Sequence, residues 1–328
     1  MANRIPEQLR ERLTAHRGLA TWGERLVPLG DFRAAAQVEG VALSPAERAA
    51  ATAAYRAGVP DSTPVEGPYA RIAVFGGVYS NHLALSALLA DAARRGAEAA
   101  YCLGDLGAFG PHPEKVWPLL VQGGVRVLQG NYEESLAAGR EDCNCGYTDP
   151  RDNHYARLSY AYTVAHTSAT NRAWLATLPG HRRARLGPHR VLMCHGSPRR
   201  INEFLWESTT PDGLLRRLLA DHAADVLLCT HTGLKWRRAL DGGAAHAVNV
   251  GAVGRPENDG TPDVWYALLT AGPELEVEFV SVAYDHEAAA RALEAEGLPR
   301  EFAETLRTGW WTTCLENLPA RERARGRF

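Results

Sequence analysis

Ala100-Tyr101-Cys102-Leu103-Gly104-Asp105 is a short apolar run that ends in a glycine and a carboxylate. The design recurs further along. Val125-Arg126-Val127-Leu128 leads to Gly130-Asn131, Val191-Leu192-Met193-Cys194 leads to His195, and Val226-Leu227-Leu228-Cys229 leads to Thr230-His231. Such runs have the length and composition of buried strands. Residues that follow buried strands gather at one edge of a sheet. A carboxylate, an amide oxygen and two imidazoles far apart in sequence are therefore placed to converge on one metal ion.

Around these runs the chain alternates strand and helix. Ile72 to Phe75 reads as a strand, Gly76-Gly77-Val78-Tyr79-Ser80-Asn81 as a turn, His82 to Arg95 as an amphipathic helix, and Ala99 to Leu103 as the next strand. That order argues an α/β sheet. Three later runs, His246 to Val250, Asp263 to Thr270 and Leu275 to Val282, have no helices between them and predict an antiparallel or mixed second sheet. From Tyr284 the pattern is helical again, over His286 to Glu296 and Arg300 to Thr308, and the chain ends in a basic tail. At the other end, residues 1 to about 68 are rich in Ala, Arg and Glu and read as mainly helical, with Ser44-Pro45-Ala46-Glu47 a helix start. The Pro/Gly-rich stretch from Gly58 to Pro68 reads as a linker. The expected organisation is a helical extension with linker over 1–68, a central domain over 69–282 and a helical C-terminal extension over 283–328.

With 328 residues, 45% of them hydrophobic, the chain has ample material for a core. A formal net charge of −2 gives no basic field for non-specific nucleic-acid binding. No stretch approaches the roughly 20 apolar residues that cross a bilayer, and the first residues lack the apolar core of a signal peptide. The expectation is a cytoplasmic protein with no membrane partner. In that compartment the six cysteines are not expected to form a disulfide framework. Cys102, Cys194 and Cys229 sit in apolar runs as small core side chains, whereas Cys143 and Cys145 form a C-x-C in a polar loop.

The four blocks Gly104-Asp105, Gly130-Asn131, His195-Gly196-Ser197-Pro198 and Thr230-His231-Thr232, followed by Asn249-Val250-Gly251-Ala252-Val253-Gly254-Arg255-Pro256, stand in the order seen in one superfamily. The chain resembles the calcineurin-like metallophosphoesterases, specifically their small bacterial phosphodiesterase-like branch, over roughly Ile72 to Thr308. The resemblance implies an αββα sandwich of two mixed sheets flanked by helices, and a two-metal phosphoesterase site with the ions about 3.5 Å apart. It also implies that Asp105, Asn131, His195 and His231 hold the second metal.

The first metal's residues are replaced. The family's D-x-H pair reads Gly77-Val78-Tyr79, the last histidine of G-H-x-H reads Gly233, and the catalytic histidine that helps protonate the leaving oxygen falls on Tyr132. One metal site is thus kept, with one ion expected and two as the alternative. Tyr79 and Tyr132 are the candidate catalytic residues, Tyr79 as a phenolate ligand and Tyr132 as hydrogen-bond donor or weak acid in the histidine's place. The bland alternative is that both are remnants packed into a former site. His82 is a further candidate to reach inward. The loop from Glu141 to His154, with Asp142, Cys143, Cys145, Asp149, Asp152 and His154, is placed to fold over the site and supply ligands.

Arg199 and Arg200, directly after His195-Gly196-Ser197-Pro198, are candidates to clamp a phosphate, with Asn202 as a third substrate residue. Phe204, Trp206 and the C-terminal Trp310-Trp311 shape a pocket wall or bury against the core, and core packing is the better reading for the Trp pair. The ligand set suits Mn, Fe, Zn, Co or Ni. The function expected is metal-dependent hydrolysis of a small or nucleotide-like phosphate ester or diester at an atypical site. The competing readings are a catalytically silent protein that binds a phosphorylated ligand, and a repurposed metalloenzyme that uses Tyr79 and the 142–154 loop.

Overall fold

The computed structural model describes residues 63–326, so the helical reading of residues 1 to about 68 falls largely outside the described residues. From Pro64 the chain forms one compact unit. Its strands are β1 Val65–Tyr69, β2 Arg71–Phe75, β3 Ala99–Cys102, β4 Arg126–Val127, β5 His181–Leu186, β6 His189–Cys194, β7 Val226–Cys229, β8 Lys235–Leu240, β9 Ala245–Val250, β10 Val264–Thr270 and β11 Glu276–Val282. Its helices are α1 His82–Arg94, α2 Pro113–Gln122, α3 Asn131–Ala138, α4 Pro150–Ala165, α5 Ala169–Leu175, α6 Asp212–Asp221, α7 His286–Ala295, α8 Arg300–Thr308 and the short α9 Ala320–Arg323. Two mixed sheets result among the described residues, one in the order β1-β5-β6-β7-β9-β8 and the other β11-β10-β2-β3-β4.

The two sheets pack face to face, and the alternation of side chains along each strand explains the layering. Ile72 and Val74 point between the sheets with Tyr101, Leu103, Met193, Leu228 and Val248. Their neighbours Ala73 and Phe75 point the other way, under Leu85 and Leu88 of α1 and Val116 and Leu120 of α2. On the opposite side Leu192, Cys194, Leu227 and Cys229 bury against Leu215, Leu218 and Leu219 of α6. Strands covered on both faces need continuous apolar runs, which is why the runs before the four polar residues contain almost no polar side chain. Each such buried Leu, Ile or Phe is worth about 1.5–3 kcal/mol of transfer free energy. The outcome is the αββα sandwich expected. No helix among the described residues is long and apolar enough to cross a membrane.

Two expectations are corrected. The stretch read as linker ends in a strand: Val65 to Tyr69 pairs in parallel with β5, Val65 opposite Arg183 and Tyr69 opposite Leu186. β1 lies at the sheet edge, where Pro68 removes no needed ladder donor, so a Pro/Gly-rich segment can serve as a strand. The three helix-free runs also do not share a sheet. β9 pairs in parallel with β7, whereas β10 and β11 pair with each other and β10 with β2. The segment from Gly251 to Asp263 carries the chain from one sheet to the other.

The C-terminal helices α7 and α8 bury Ala290, Leu293, Phe302 and Leu306 together with Phe109 and Tyr284. Beyond them Trp311 and Leu315 pack with Trp206 and Leu234, so core packing describes Trp311 correctly.

Candidate metal centre

Asp105 follows β3 and Asn131 opens α3 just beyond β4, whereas His195 follows β6 and His231 follows β7. The pairs β3–β4 and β6–β7 are both parallel, so each sheet delivers two polar residues at the carboxyl ends of parallel strands. The meeting place is the shared edge of two sheets rather than the edge of one.

The first two turns touch. A Cβ on Gly104, whose φ is 89°, would lie 2.4 Å from the backbone N of Gly130, and a Cβ on Gly130 would lie 2.7 Å from Oδ1 of Asp105. No other residue type permits that approach. Glu133, on the first turn of α3, locks the two turns together. Its buried carboxylate accepts from the backbone N–H of Asp105 (2.8 Å), Leu106 (2.8 Å) and Gly130 (2.8 Å). Burial, and then the nearby Asp105 charge, hold the Glu133 pKa above the usual carboxylate range.

Four acceptor atoms converge inside this frame. His195 Nε2 lies 3.0 Å from Asn131 Oδ1, 3.0 Å from His231 Nδ1 and 3.4 Å from Asp105 Oδ2. Asp105, His195 and His231 each offer a ligand atom, all within 4.8 Å of one another. The orientation of three of the four groups follows from an outer contact. His195 Nδ1 lies 2.6 Å from the Leu103 carbonyl, which can only accept, so Nδ1 carries hydrogen and Nε2 faces inward. Asn131 donates Nδ2 to the Cys143 carbonyl at 2.8 Å, which turns Oδ1 inward. Tyr132 N–H donates to Asp105 Oδ1 at 3.3 Å.

The electrostatics ask for one positive charge. Burial disfavours charge on the His195 ring, but Asp105 outweighs it and the pKa rises. His231, buried and facing His195, is pushed down to about 3. Acceptors packed this closely, with no donor among them once His195 Nε2 is unprotonated, fit a divalent transition ion bound by two imidazoles and two oxygens.

The neighbouring half is filled. A Cβ on Gly77 would lie 2.8 Å from Cζ of Tyr79 and 2.8 Å from the Ala252 Cβ, and one on Gly233 would lie 3.0 Å from Cη2 of Trp311. The Tyr79 and Trp311 rings thus occupy space beside the two glycines that stand where the resemblance places an Asp and a His. Phe109 packs edge-on against Tyr79 at 5.0 Å, and the Arg255 guanidinium stacks on Trp311 at 3.7 Å. Arg255 also donates to the Thr313 carbonyl at 2.6 Å. Burial and then Asp105 raise the Tyr79 pKa, so its phenol stays neutral here.

Tyr132 is committed elsewhere: its hydroxyl lies 3.0 Å from Ser159 Oγ, and its ring meets Tyr160 at 5.5 Å. Burial holds its pKa well above the usual phenol range. Neither arrangement acidifies a tyrosine. His82 meets His112 edge-on at 5.7 Å, and His154 meets Tyr155 edge-on at 5.3 Å.

Of the loop after α3, Cys143 and Cys145 come to the quartet, and they are joined by a disulfide, which corrects the expectation of free thiols. The physical reason is the turn at Asn144, whose φ of 51° brings the two Cα atoms to 5.2 Å. Asn202 latches this loop, donating Nδ2 to the Asn144 carbonyl at 2.8 Å. It faces the loop rather than open space. Arg199 is held by both carboxylate oxygens of Glu203. Arg200 is exposed and uses Nε on Asn202 Oδ1 at 2.7 Å. Phe204 stacks on the His231 ring at 4.4 Å. Glu133, Trp311 and Arg255 were not singled out as site residues by sequence reasoning. Glu133 had a signal in its place two residues after Asn131, and Arg255 in the turn after β9, whereas Trp311 was read only as pocket wall or core.

Over 251 residues the chain is 24% identical to an uncharacterized protein of Methanocaldococcus jannaschii, covering 73% of this chain and 98% of that relative. Among solved structures, a metallophosphoesterase from Sphaerobacter thermophilus is similar with a TM-score of 0.56 at 23% identity, over 73% of this chain and 98% of that one. A hypothetical protein from Pyrococcus horikoshii OT3 is similar with a TM-score of 0.62 at 20% identity, over 74% and 99%. No family model matches the sequence. The likeness establishes the fold, which is that of the metallophosphoesterases.

Proposed function

We propose that this chain, with its metallophosphoesterase fold, is a phosphoric ester hydrolase working with one divalent transition-metal ion held by Asp105, Asn131, His195 and His231. The observation that carries the reading is the convergence at His195 Nε2 of Asn131 Oδ1, His231 Nδ1 and Asp105 Oδ2, at 3.0, 3.0 and 3.4 Å. A bound ion supplies Lewis acidity that polarises a phosphoryl oxygen and activates water.

The chain's own residues do the positioning. Leu103 and Cys143 hold His195 and Asn131 by their outer nitrogens, and Glu133 fixes the backbone that carries Asp105. Arg200, exposed on the loop beyond His195, presents its terminal nitrogens to a phosphate oxygen, while Arg199 is neutralised by Glu203. The quartet is buried, with none of its four side chains more than 8% exposed, which favours a small or nucleotide-like ester over a folded protein.

The test is elemental analysis of purified protein, with hydrolysis of aryl and nucleotide phosphate esters by wild type and His195→Ala. One equivalent of metal and a loss of more than about 100-fold in the variant are expected. No bound metal, or activity untouched by the substitution, overturns the reading.

The filled half and the Ser159-bound phenol of Tyr132 support a second reading, a catalytically silent protein that binds a phosphorylated ligand. Ligand binding without turnover across Mn, Fe, Zn, Co and Ni selects it.

A further inference from the structure

The Cys143–Cys145 pair touches the same side chain that enters the quartet. Asn131 turns Oδ1 toward His195 and Nδ2 outward, and that nitrogen meets both the Cys143 carbonyl at 2.8 Å and Cys145 Sγ at 3.5 Å. Cys145 Sγ is thus one amide group away from the ligand atom. The Cys145 backbone also lies beside His231.

The two sulfurs are not equivalent. Cys143 is 4% exposed and packs in the core with Leu136 and Tyr160, whereas Cys145 is half-buried. Cys145 is flanked by Asn144 at φ 51° and Gly146 at φ 81°, and a Cβ on Gly146 would come no closer than 3.5 Å to Asn202 or Phe204. The chain is thus held on the Cys143 side, by the core and by the Asn202–Asn144 bond, and is loosely packed at Gly146 on the far side of Cys145.

We propose that Cys143 and Cys145 form a redox-controlled ligand of the metal centre: joined, they staple the loop and leave Asn131 to ligate, and once the bond is opened Cys145 supplies a sulfur to the ion. The proposal rests on the single-metal reading above. The opening reaction is thiol–disulfide exchange with a low-molecular-weight thiol. The thiolate attacks Cys145, the more exposed sulfur, the Cys143–Cys145 bond breaks, and Cys143 leaves as thiolate and takes a proton from solvent. A second small thiol attacks the mixed disulfide, releasing the Cys145 thiolate and a small-molecule disulfide. The two electrons come from the two small thiols. A thiolate beside two imidazoles would select Zn, Co or Fe(II) over harder ions. Its added charge weakens the Lewis acid, so reduction lowers ester hydrolysis.

The experiment uses the full chain loaded with cobalt(II). Spectra and elemental analysis are taken before and after reduction with a phosphine, which adds no sulfur of its own. The expected result is cobalt in both forms and a sulfur-to-cobalt charge-transfer band in the near ultraviolet only after reduction. Cys143→Ser, which leaves Cys145 free, shows the band without reductant, and Cys145→Ser never shows it. Bound cobalt in reduced wild type without the band overturns the proposal, as does a band that persists in Cys145→Ser. Cobalt absent from both forms overturns the single-metal reading itself, and the proposal with it.

Discussion

Two halves of the strand-end rim are built on opposite principles. In one, β3, β4, β6 and β7 each deliver a polar atom, and three of the four side chains are held by a fixed outer hydrogen bond: Leu103 on His195, Cys143 on Asn131, Tyr132 N–H on Asp105. In the other, the corresponding turns deliver Gly77, Tyr79 and Gly233, and the space is closed by the Tyr79 and Trp311 rings with Arg255 stacked behind. The polar half depends on directional bonds that fail when one partner goes. The filled half depends on ring packing, which tolerates change if volume is kept.

The comparison breaks first at Glu133. Glu133→Ala orphans three buried backbone donors, at Asp105, Leu106 and Gly130, and is expected to cost about 3–5 kcal/mol in stability along with the metal. Urea denaturation reads the first and elemental analysis the second. A loss below about 1 kcal/mol means that the donors find water and the polar half is not held as described.

Gly104→Ala comes next, because its Cβ meets the Gly130 nitrogen at 2.4 Å in a left-handed backbone. The expected cost is about 2–4 kcal/mol from strain and overpacking, with weaker metal binding because the turns bearing Asp105 and Asn131 are pushed apart. Unchanged stability would show that the turns can separate freely.

What the sequence made legible follows the same division. The quartet was readable because each of its residues follows a buried strand, and strand ends are fixed by topology. The roles of Tyr132 and Asn202 were not readable, since Ser159 and Asn144, which claim them, lie 27 and 58 residues away. Trp311 reaches the Gly233 space from a segment whose pattern gave no hint of it. The β1 strand and the division of β9 from β10 were hidden for a related reason: a Pro-containing edge strand and a sheet crossover are defined by their partners, not by local periodicity. The Cys143–Cys145 bond depends on one left-handed residue, Asn144, that spacing alone does not reveal.

In the filled half a smaller effect with a distinctive sign is expected. Gly233→His alone places a Cβ 3.0 Å from Trp311 and costs about 1–3 kcal/mol. Combined with Trp311→Ala, the two changes relieve each other, with a coupling of about 0.5–3 kcal/mol in a double-mutant cycle. Strictly additive effects would mean that Trp311 does not fill the space beside Gly233. Adding Gly77→Asp and Tyr79→His to that pair is expected to raise bound metal from one to two equivalents.

The smallest effect separates filler from functional residue. Tyr79 is buried, its phenol is held neutral, and its ring is packed by Phe109. If the ring is what matters, Tyr79→Phe keeps it and changes stability by less than about 1 kcal/mol, because it removes a hydroxyl without opening a cavity. Ester hydrolysis and metal content are then expected to stay within about threefold, under 1 kcal/mol on the transition-state scale. Tyr79→Ala, by contrast, empties the half and is expected to cost about 3–5 kcal/mol. A tenfold or greater loss of hydrolysis in Tyr79→Phe with stability unchanged would place the phenol oxygen among the working groups and make the filled half part of the active site.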